Sequence, residues 1–495
     1  MSLLAIAAWL SELSNWTLFV WSGRLLGLLF VPLVLLERSA RPLSAVAWIL
    51  ALLFVPYLGV IFWWLVGRNH FERTRRRRAR LRRLHSRRME EIDGVSRADV
   101  APPQALYEEH GLFPPTHSNS VTIFGDATQA FDAFASAIER AEDHVHLLFY
   151  VWKPDQTGRR FRDLLTDAAR RGVEVRALYD YVGSVRMSRS FLSPIEEAGG
   201  RVAPFLPVRL WEPQSRANFR NHRKFLIVDG RCGFTGGVNL ADEYLEWFDT
   251  AYGFAGGVVH QMQELFAEDW YFATGEDLAD ARYVPELSDG DTLKERSPQL
   301  LSHFLGGPAP DVEGAAARMV ASGPDEQVDR VHKMFFQGIN SARQRLHIIT
   351  PYFVPDYAIL TALETAALAG IDVRIIIPAR SDVPLTQHAG RFYWERLLLV
   401  GVRLYEYRRR VLHTKLMLVD DDQVIVGSAN MDIRSFRLNF EANCVLESKE
   451  MNRRLHDLFF NALNGSDEID LETFRARPFL ARFKEGTARL FSPLL

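Results

Sequence analysis

Two stretches near the start of the chain carry almost no polar residues. Residues 16–36 read WTLFVWSGRLLGLLFVPLVLL, with Arg24 as the one charge, and residues 44–66 read SAVAWILALLFVPYLGVIFWWLV, with none. A helix rises about 1.5 Å per residue, so each stretch is long enough to cross a hydrocarbon core of roughly 30 Å. Between them ERSARP is a short polar turn. No small-residue cleavage site follows, which argues for two retained spans rather than a removed leader. Trp63 and Trp64 fall where an aromatic belt would meet the headgroups. Past residue 120 the pattern becomes an alternation of helical and strand-like stretches, and it runs twice. AIERAEDHVHLLFY (137–150) parallels GINSARQRLHIITP (338–351): a helix end, a charged turn, then a strand. AARRGVEVRALYD (168–180) parallels AALAGIDVRIIIP (366–378), a helix closed by Gly172 or Gly370 ahead of a β-branched strand. Such alternation predicts α/β layers around a mostly buried sheet. Duplication predicts a pseudo-twofold axis that brings equivalent residues of the two halves together.

Length and charge refine this picture. The chain has 495 residues, too many for one ordinary domain, and is 48% hydrophobic, enough for large cores. Residues 89–120 are polar, with Pro102, Pro103, Pro114 and Pro115, and read as a linker. The expected division is a transmembrane hairpin over 1–67, a basic juxtamembrane segment and linker over 68–119, and two α/β repeats over 120–300 and 301–495. Net charge is −2, but residues 68–88 hold eleven arginines against Glu72, a local +10 that leaves −12 for the rest. A basic collar on an acidic body argues against a nucleic-acid partner. By the positive-inside rule the collar stays in the cytoplasm, which puts both termini and the body there and residues 37–43 outside. Beyond setting topology, the collar would attract anionic headgroups by about 1 kcal/mol per residue. Cys232 and Cys444 both sit in apolar strand-like runs and read as small buried hydrophobes.

The chemistry lies in a pair of runs. HRKFLIVDGRCGFTGGVN (222–239) and HTKLMLVDDDQVIVGSAN (413–430) both fit HxKx₄Dx₆G[GS]xN. The spacing reads as a strand on which His413 and Lys415, like His222 and Lys224, share one face. Burying a lysine is costly without a partner, so a pair facing its counterpart across the dyad suggests a site for an anion. A phosphodiester suits it: Lys224 and Lys415 supply charge, while Asn239, Asn430 and Ser428 donate to non-bridging oxygens. A neutral imidazole can attack phosphorus, and an opposed protonated one can serve the leaving group and then the incoming hydroxyl. Each imidazole also needs an acceptor on its other nitrogen. Asp249, 27 residues after His222, and Glu441, 28 after His413, stand at equivalent offsets and are the candidates. Gly237 and its neighbours permit a tight backbone beside the ligand, and Asp229 and Asp420 close a turn rather than touch substrate. The other twelve histidines, such as His146 and His347, read as structural or exposed. No GxxxxGK[ST], no GxGxxG after a strand and no HExxH occurs, so no cofactor and no metal is expected.

The two runs resemble the signature of the phospholipase D superfamily, the HKD enzymes. PYFVPD (351–356), GSANMDIRSFRLNFE (427–441), the final RLFSPLL and the amino-terminal apolar pair resemble the two-motif, membrane-anchored cardiolipin synthases of bacteria, over nearly the whole chain. The resemblance implies a catalytic set of His222, Lys224, Asp229, His413, Lys415 and Asp420, with His222 as nucleophile and His413 as general acid/base. The sequence itself is symmetric on that point. It further implies transfer of a phosphatidyl group from one phosphatidylglycerol to another, giving cardiolipin and glycerol. The implied setting is the bacterial cytoplasmic membrane, with anionic phospholipids as partners and homo-oligomerisation left open. The same motif residues would serve a phospholipase D that passes the phosphatidyl group to water. A nuclease fits the acidic body poorly, and an inactive lipid-binding scaffold fits two intact motifs poorly.

Overall fold

The computed structural model describes residues 15–37, 42–64, 113–208, 218–278, 281–283, 290–326, 328–490 and 492. The arginine run, most of the expected linker and the last three residues of RLFSPLL lie outside the described residues. The chain divides into two compact units, one holding the amino-terminal helices and one holding both repeats.

In the first unit, helix α1 (Asn15–Glu37) contains Thr17–Leu36, the one helix among the described residues long and apolar enough to cross a membrane. The second apolar stretch is not one helix. It forms α2 (Pro42–Phe54) and α3 (Pro56–Phe62), broken at Val55 with φ −132° and ψ 59°. Pro56 lacks the N–H that would continue the ladder and keeps the residue before it out of the α region. Gly23 and Gly27, four apart on α1, let the helices approach: a Cβ at Gly27 would strike the Leu52 backbone, and one at Gly23 the Tyr57 ring. That small-xxx-small spacing is a helix-packing signal that the sequence reading passed over.

The second unit is built on one sheet. Its first half supplies β1 (Thr116–Phe124), β2 (His144–Phe149), β3 (Glu174–Asp180), β4 (Arg201–Phe205), β5 (Arg220–Asn221), β6 (Phe225–Val228), β7 (Cys232–Gly236) and β8 (Ala251–Ala255). The second half supplies β9 (Val312–Ser322), β10 (Arg345–Ile349), β12 (Asp372–Pro378), β13 (Arg403–Tyr407), β14 (Leu416–Val419), β15 (Gln423–Gly427), β17 (Asn439–Glu447) and β18 (Ser466–Glu468), while β11 (Phe353–Val354) and β16 (Met431–Asp432) pair with each other as a separate two-stranded sheet. The strand order is β18-β13-β12-β10-β14-β15-β17-β9-β1-β8-β7-β6-β2-β3-β4. Outward from the antiparallel β9/β1 pair, the sequence β17, β15, β14, β10, β12, β13 answers β8, β7, β6, β2, β3, β4. The expected pseudo-twofold therefore passes between β1 and β9. The expected mixed sheets are one continuous mixed sheet.

Each half packs helices on both faces. In β2, Val145, Leu147 and Phe149 join the core of helices Ala127–Glu139 and Gln156–Arg170, which also holds Phe131, Phe134 and Phe161. Alternation turns His146 to the other face, where it stacks on Phe266 of helix Gly257–Thr274. The second half repeats this: Leu346 and Ile348 face one core, while His347 stacks on Phe459 of helix Lys449–Leu463. Both histidines are buried packing residues, as expected, and both cysteines are fully buried. Residues 116–119 open β1, where the sequence read linker. The buried Asn119 makes this stretch fold, its amide donating to the carbonyls of Thr116 and Ala315 and accepting from Val258 N–H. Helix Gly290–Leu305 straddles residue 300 and packs Leu301 and Phe304 into the first half.

Candidate active site

The two motif runs occupy equivalent places beside the dyad. In each, the histidine and lysine precede the strand instead of lying on it: β6 begins at Phe225 and β14 at Leu416. The backbone at each histidine is held by the opposite half. His222 N–H donates to the Phe440 carbonyl at 2.9 Å, and His413 N–H donates to the Phe248 carbonyl at 2.8 Å. Since Phe440 and Phe248 immediately precede Glu441 and Asp249, the carboxylates are exchanged as well. His222 Nδ1–H donates to Glu441 Oε2 at 3.0 Å, and His413 Nδ1–H donates to Asp249 Oδ2 at 2.6 Å. Reading the 27- and 28-residue offsets along one repeat therefore pairs each carboxylate with the wrong histidine. The pairing crosses the dyad, because the strand leading to each carboxylate runs past the other half's motif.

All four groups are buried, with Glu441 and Asp249 at zero exposure. Glu441 also accepts from Ser428 Oγ at 2.5 Å, Ser435 Oγ at 2.9 Å and Asn439 Nδ2 at 3.0 Å. Burial alone would raise its pKa, but His222, Lys224 and the Ser428 hydroxyl outweigh that and hold it below the usual range. Asp249 accepts from the Thr250 N–H at 2.8 Å. A Cβ on Gly237 would overlap its carboxylate, which explains the glycine where the other half has Ser428. Gly236 and Gly427, at φ 145° and 148°, make the preceding backbone close on strands β8 and β17.

Both lysines are within 3% of full burial and turn back on their own histidines. Lys224 Nζ donates to the His222 carbonyl at 2.6 Å; Lys415 Nζ donates to the His413 carbonyl at 2.5 Å and lies 3.0 Å from Nδ1 of that ring. Burial, and for Lys224 the charge of Lys415, push the ammonium groups down, Lys224 to about 7 and Lys415 to about 8. Burial likewise lowers His222 to about 4, opposed by Glu441, and lowers His413, helped by Lys415 and opposed by Asp249. Lys415 thus acts on His222, Asp249 on Lys224 and Glu441 on Lys415: the two halves share one electrostatic neighbourhood.

The remaining expectations divide. Ser428, expected to donate to a non-bridging oxygen, turns its hydroxyl to Glu441 and the Ala442 backbone. Asn239 is also committed inward, accepting from Val151 N–H and donating to Tyr244 OH, whose ring meets His413 edge-on. Asn430 keeps a buried Oδ1 with no hydrogen-bond partner among the described residues. Asp229 and Asp420 stand at the far ends of β6 and β14, at φ 53° and 47°, each capping three backbone N–H groups. They anchor turns, as their position in the runs suggested. Sequence reading missed Ser435 and Asn439, which lie outside the repeated motif. It also missed Tyr150 and Tyr352, whose rings flank His222 and His413, and Asp382, which accepts from Tyr352 OH at 2.7 Å. Arg223, between His222 and Lys224, is fully buried and donates to Asp269 at 2.9 Å. Thr414 replaces it in the other half.

Residues 134–270 and 335–463 match the family model described as cardiolipin synthase, PLD-like domain. The chain belongs to the cardiolipin synthase family. Residues 25–68 match the phospholipase D-nuclease N-terminal family. The cardiolipin synthase of Geobacillus kaustophilus (strain HTA426) is 35% identical over 96% of this chain and 95% of its own length. The major cardiolipin synthase ClsA of Bacillus subtilis (strain 168) is 34% identical over 95% and 98%. Among solved structures, a phosphatidylserine synthase of Haemophilus influenzae Rd KW20 superposes with a TM-score of 0.58 at 13% identity, covering 79% of this chain and 99% of its own. That likeness speaks for the fold alone.

Proposed function

We propose that the chain is a phosphatidyltransferase that joins two phosphatidylglycerol molecules into cardiolipin, releasing glycerol, through a phosphohistidine. The observation that carries this reading is the crossed pair of buried imidazole–carboxylate bonds beside two buried lysines, in a chain of the cardiolipin synthase family. Burial depresses both ammonium groups despite Glu441 and Asp249, and a phosphodiester anion beside them would offset that cost. With Nδ1–H given to Glu441, His222 presents the Nε2 lone pair, and a pKa near 4 keeps it neutral at pH 7. His222 is therefore assigned as nucleophile. Asp249, with fewer donors than Glu441, keeps more negative charge opposite His413 and favours its protonated form, so His413 is assigned as acid/base.

His222 Nε2 attacks phosphorus, the P–O bond to the glycerol headgroup breaks, and His413 gives its proton to the departing alkoxide. The hydroxyl of a second phosphatidylglycerol then returns a proton to His413 and attacks phosphorus, and the P–N bond breaks. One phosphodiester replaces another, so no activated donor is required. Asn430 is assigned to a non-bridging oxygen. The catalytic halves are assigned to residues 120–300 and 301–495, with helix Gly290–Leu305 belonging by packing to the first. Both apolar stretches are assigned to the membrane, the second as a helix pair folded back at Val55, with Trp63 against Trp48 at 5.3 Å and Gly59 close on the Ala51 backbone. The arginine collar then keeps the body in the cytoplasm.

Purified protein in detergent with phosphatidylglycerol as the sole lipid tests the reading. Cardiolipin and glycerol are the expected products; phosphatidic acid would indicate hydrolysis, and no product a lipid-binding scaffold. His222→Ala and His413→Ala each lower turnover by about 10⁴-fold, and EDTA leaves most activity in place. Full activity in either variant overturns the two-histidine scheme.

A further inference from the structure

The last helix, Phe479–Arg489, turns its large apolar side chains outward. Phe479 is 81% exposed, Leu480 61%, Phe483 60% and Leu490, the residue after it, 77%. Phe479, Phe483 and Leu490 stand at i, i+4 and i+11, one stripe of an α-helix. The opposite stripe is well held. Ala488 packs with Val354 and Ala389, and the buried Glu485 accepts from Arg477 at 2.9 Å and Arg391 at 3.3 Å. The helix is therefore firmly seated on its neighbour Pro384–Leu399, with an apolar face left over. Exposed Arg482, Lys484 and Arg489 rim that face, and Arg489 lies over Phe392, itself 39% exposed, at 4.3 Å.

We infer that this helix is an interfacial docking surface for the anionic headgroup layer of a membrane. An amphipathic helix with Phe and Leu on one stripe and Lys and Arg at its edges lies in such a layer, its rings at the acyl boundary and its cations among phosphates. Charge selects this occupant over two others. A second copy meeting the face head-on would set basic rim against basic rim. The chain's own segment 68–88, at +10, is repelled for the same reason. The Ala488 end of the helix packs beside Val354 of β11, whose partner β16 begins at Met431, next to Asn430. Docking by this helix would bring the site's rim toward phosphodiesters at headgroup level. The choice of a bilayer rests on the proposed lipid substrate; the surface itself does not.

The test uses the full chain in proteoliposomes, carrying an environment-sensitive fluorophore at Phe483→Cys. Both native cysteines are fully buried and stay unlabelled. Asp457→Cys, on the exposed side of helix Lys449–Leu463 across the sheet, is the control. In vesicles of acyl-brominated phosphatidylglycerol the label at 483 is expected to lose about half its emission or more, with a several-fold smaller loss in brominated phosphatidylcholine, and the label at 457 to be unaffected. A Phe479→Glu/Phe483→Glu variant is expected to raise KM for vesicular phosphatidylglycerol about tenfold while keeping kcat on detergent-dispersed lipid. Absence of quenching at 483, equal quenching at 457, or energy transfer between labelled copies without lipid quenching each overturns the inference. Quenching needs no turnover, so a chain that docks without making cardiolipin contradicts the proposed function alone.

Discussion

Glu441 and Asp249 perform the same task in each other's half, yet they are not equivalent. Among the described residues, Glu441 accepts from two serines and an asparagine besides His222, whereas Asp249 accepts from a single backbone N–H besides His413. A carboxylate with fewer donors is the stronger base toward its imidazole, and this asymmetry separates the two histidines where the repeated motif does not. Asp249→Asn removes a charge that raises the His413 pKa. That pKa falls, the imidazolium is lost at a lower pH, and the alkaline limb of kcat/KM moves down by about one unit, with kcat about 10²-fold lower. Gly237→Ala, whose methyl group displaces the Asp249 carboxylate, is expected to move the same limb. The pH–rate profiles of both variants check this; a shift confined to the acid limb would assign the roles the other way. The sequence supplied every one of these residue types except Ser435 and Asn439. It could not supply the partners, because in a duplicated chain the offset from histidine to carboxylate is the same whether the bond lies within a half or across the dyad.

At the scale of elements, Asp229 and Asp420 show how one motif residue can serve the site without touching it. Each sits at positive φ beyond its strand and ties the turn before the parallel strand β2 or β10 to the run that carries histidine and lysine. Asp229→Ala leaves three part-buried or buried backbone donors without their acceptor and is expected to cost about 2–3 kcal/mol of stability. Urea unfolding measures that loss, and activity per folded molecule should stay near normal. A fall in kcat with unchanged stability would place the aspartate in the chemistry instead. The helix–strand units flanking these turns were legible because hydrophobic period and closing glycines agree, as at Gly172 and Gly370. Residues 116–119 were not, since polar Thr, Ser and Asn side chains hide a strand whose buried Asn119 satisfies itself by side-chain hydrogen bonds. The second apolar stretch read as one span because composition reports length, while Pro56 acts on the backbone of Val55.

For the whole molecule, the continuous sheet through β9 and β1 makes the two halves one folding unit around one site. Each half lacks the carboxylate that orients its own histidine. Coexpression of the chain cut in the exposed loop at residues 306–309 is therefore expected to give an active pair, with neither piece active alone; product assays on the purified pieces check it. An active single half would show that the exchange across the dyad is dispensable. The duplication and its axis were visible in the sequence as repeated runs. The continuity of the sheet and the crossing of the carboxylates were not, since both depend on which strands meet at the centre.

The central claim is that both imidazoles act on one phosphorus, His222 by forming a bond to it and His413 by moving the proton. The most direct measurement uses the His413→Ala chain with a phosphatidyl ester of p-nitrophenol, whose leaving group needs no acid. A stoichiometric burst of p-nitrophenol and a phosphatidyl adduct mapped by mass spectrometry to residue 222 is the predicted result. No burst, or an adduct on any other residue, would contradict it.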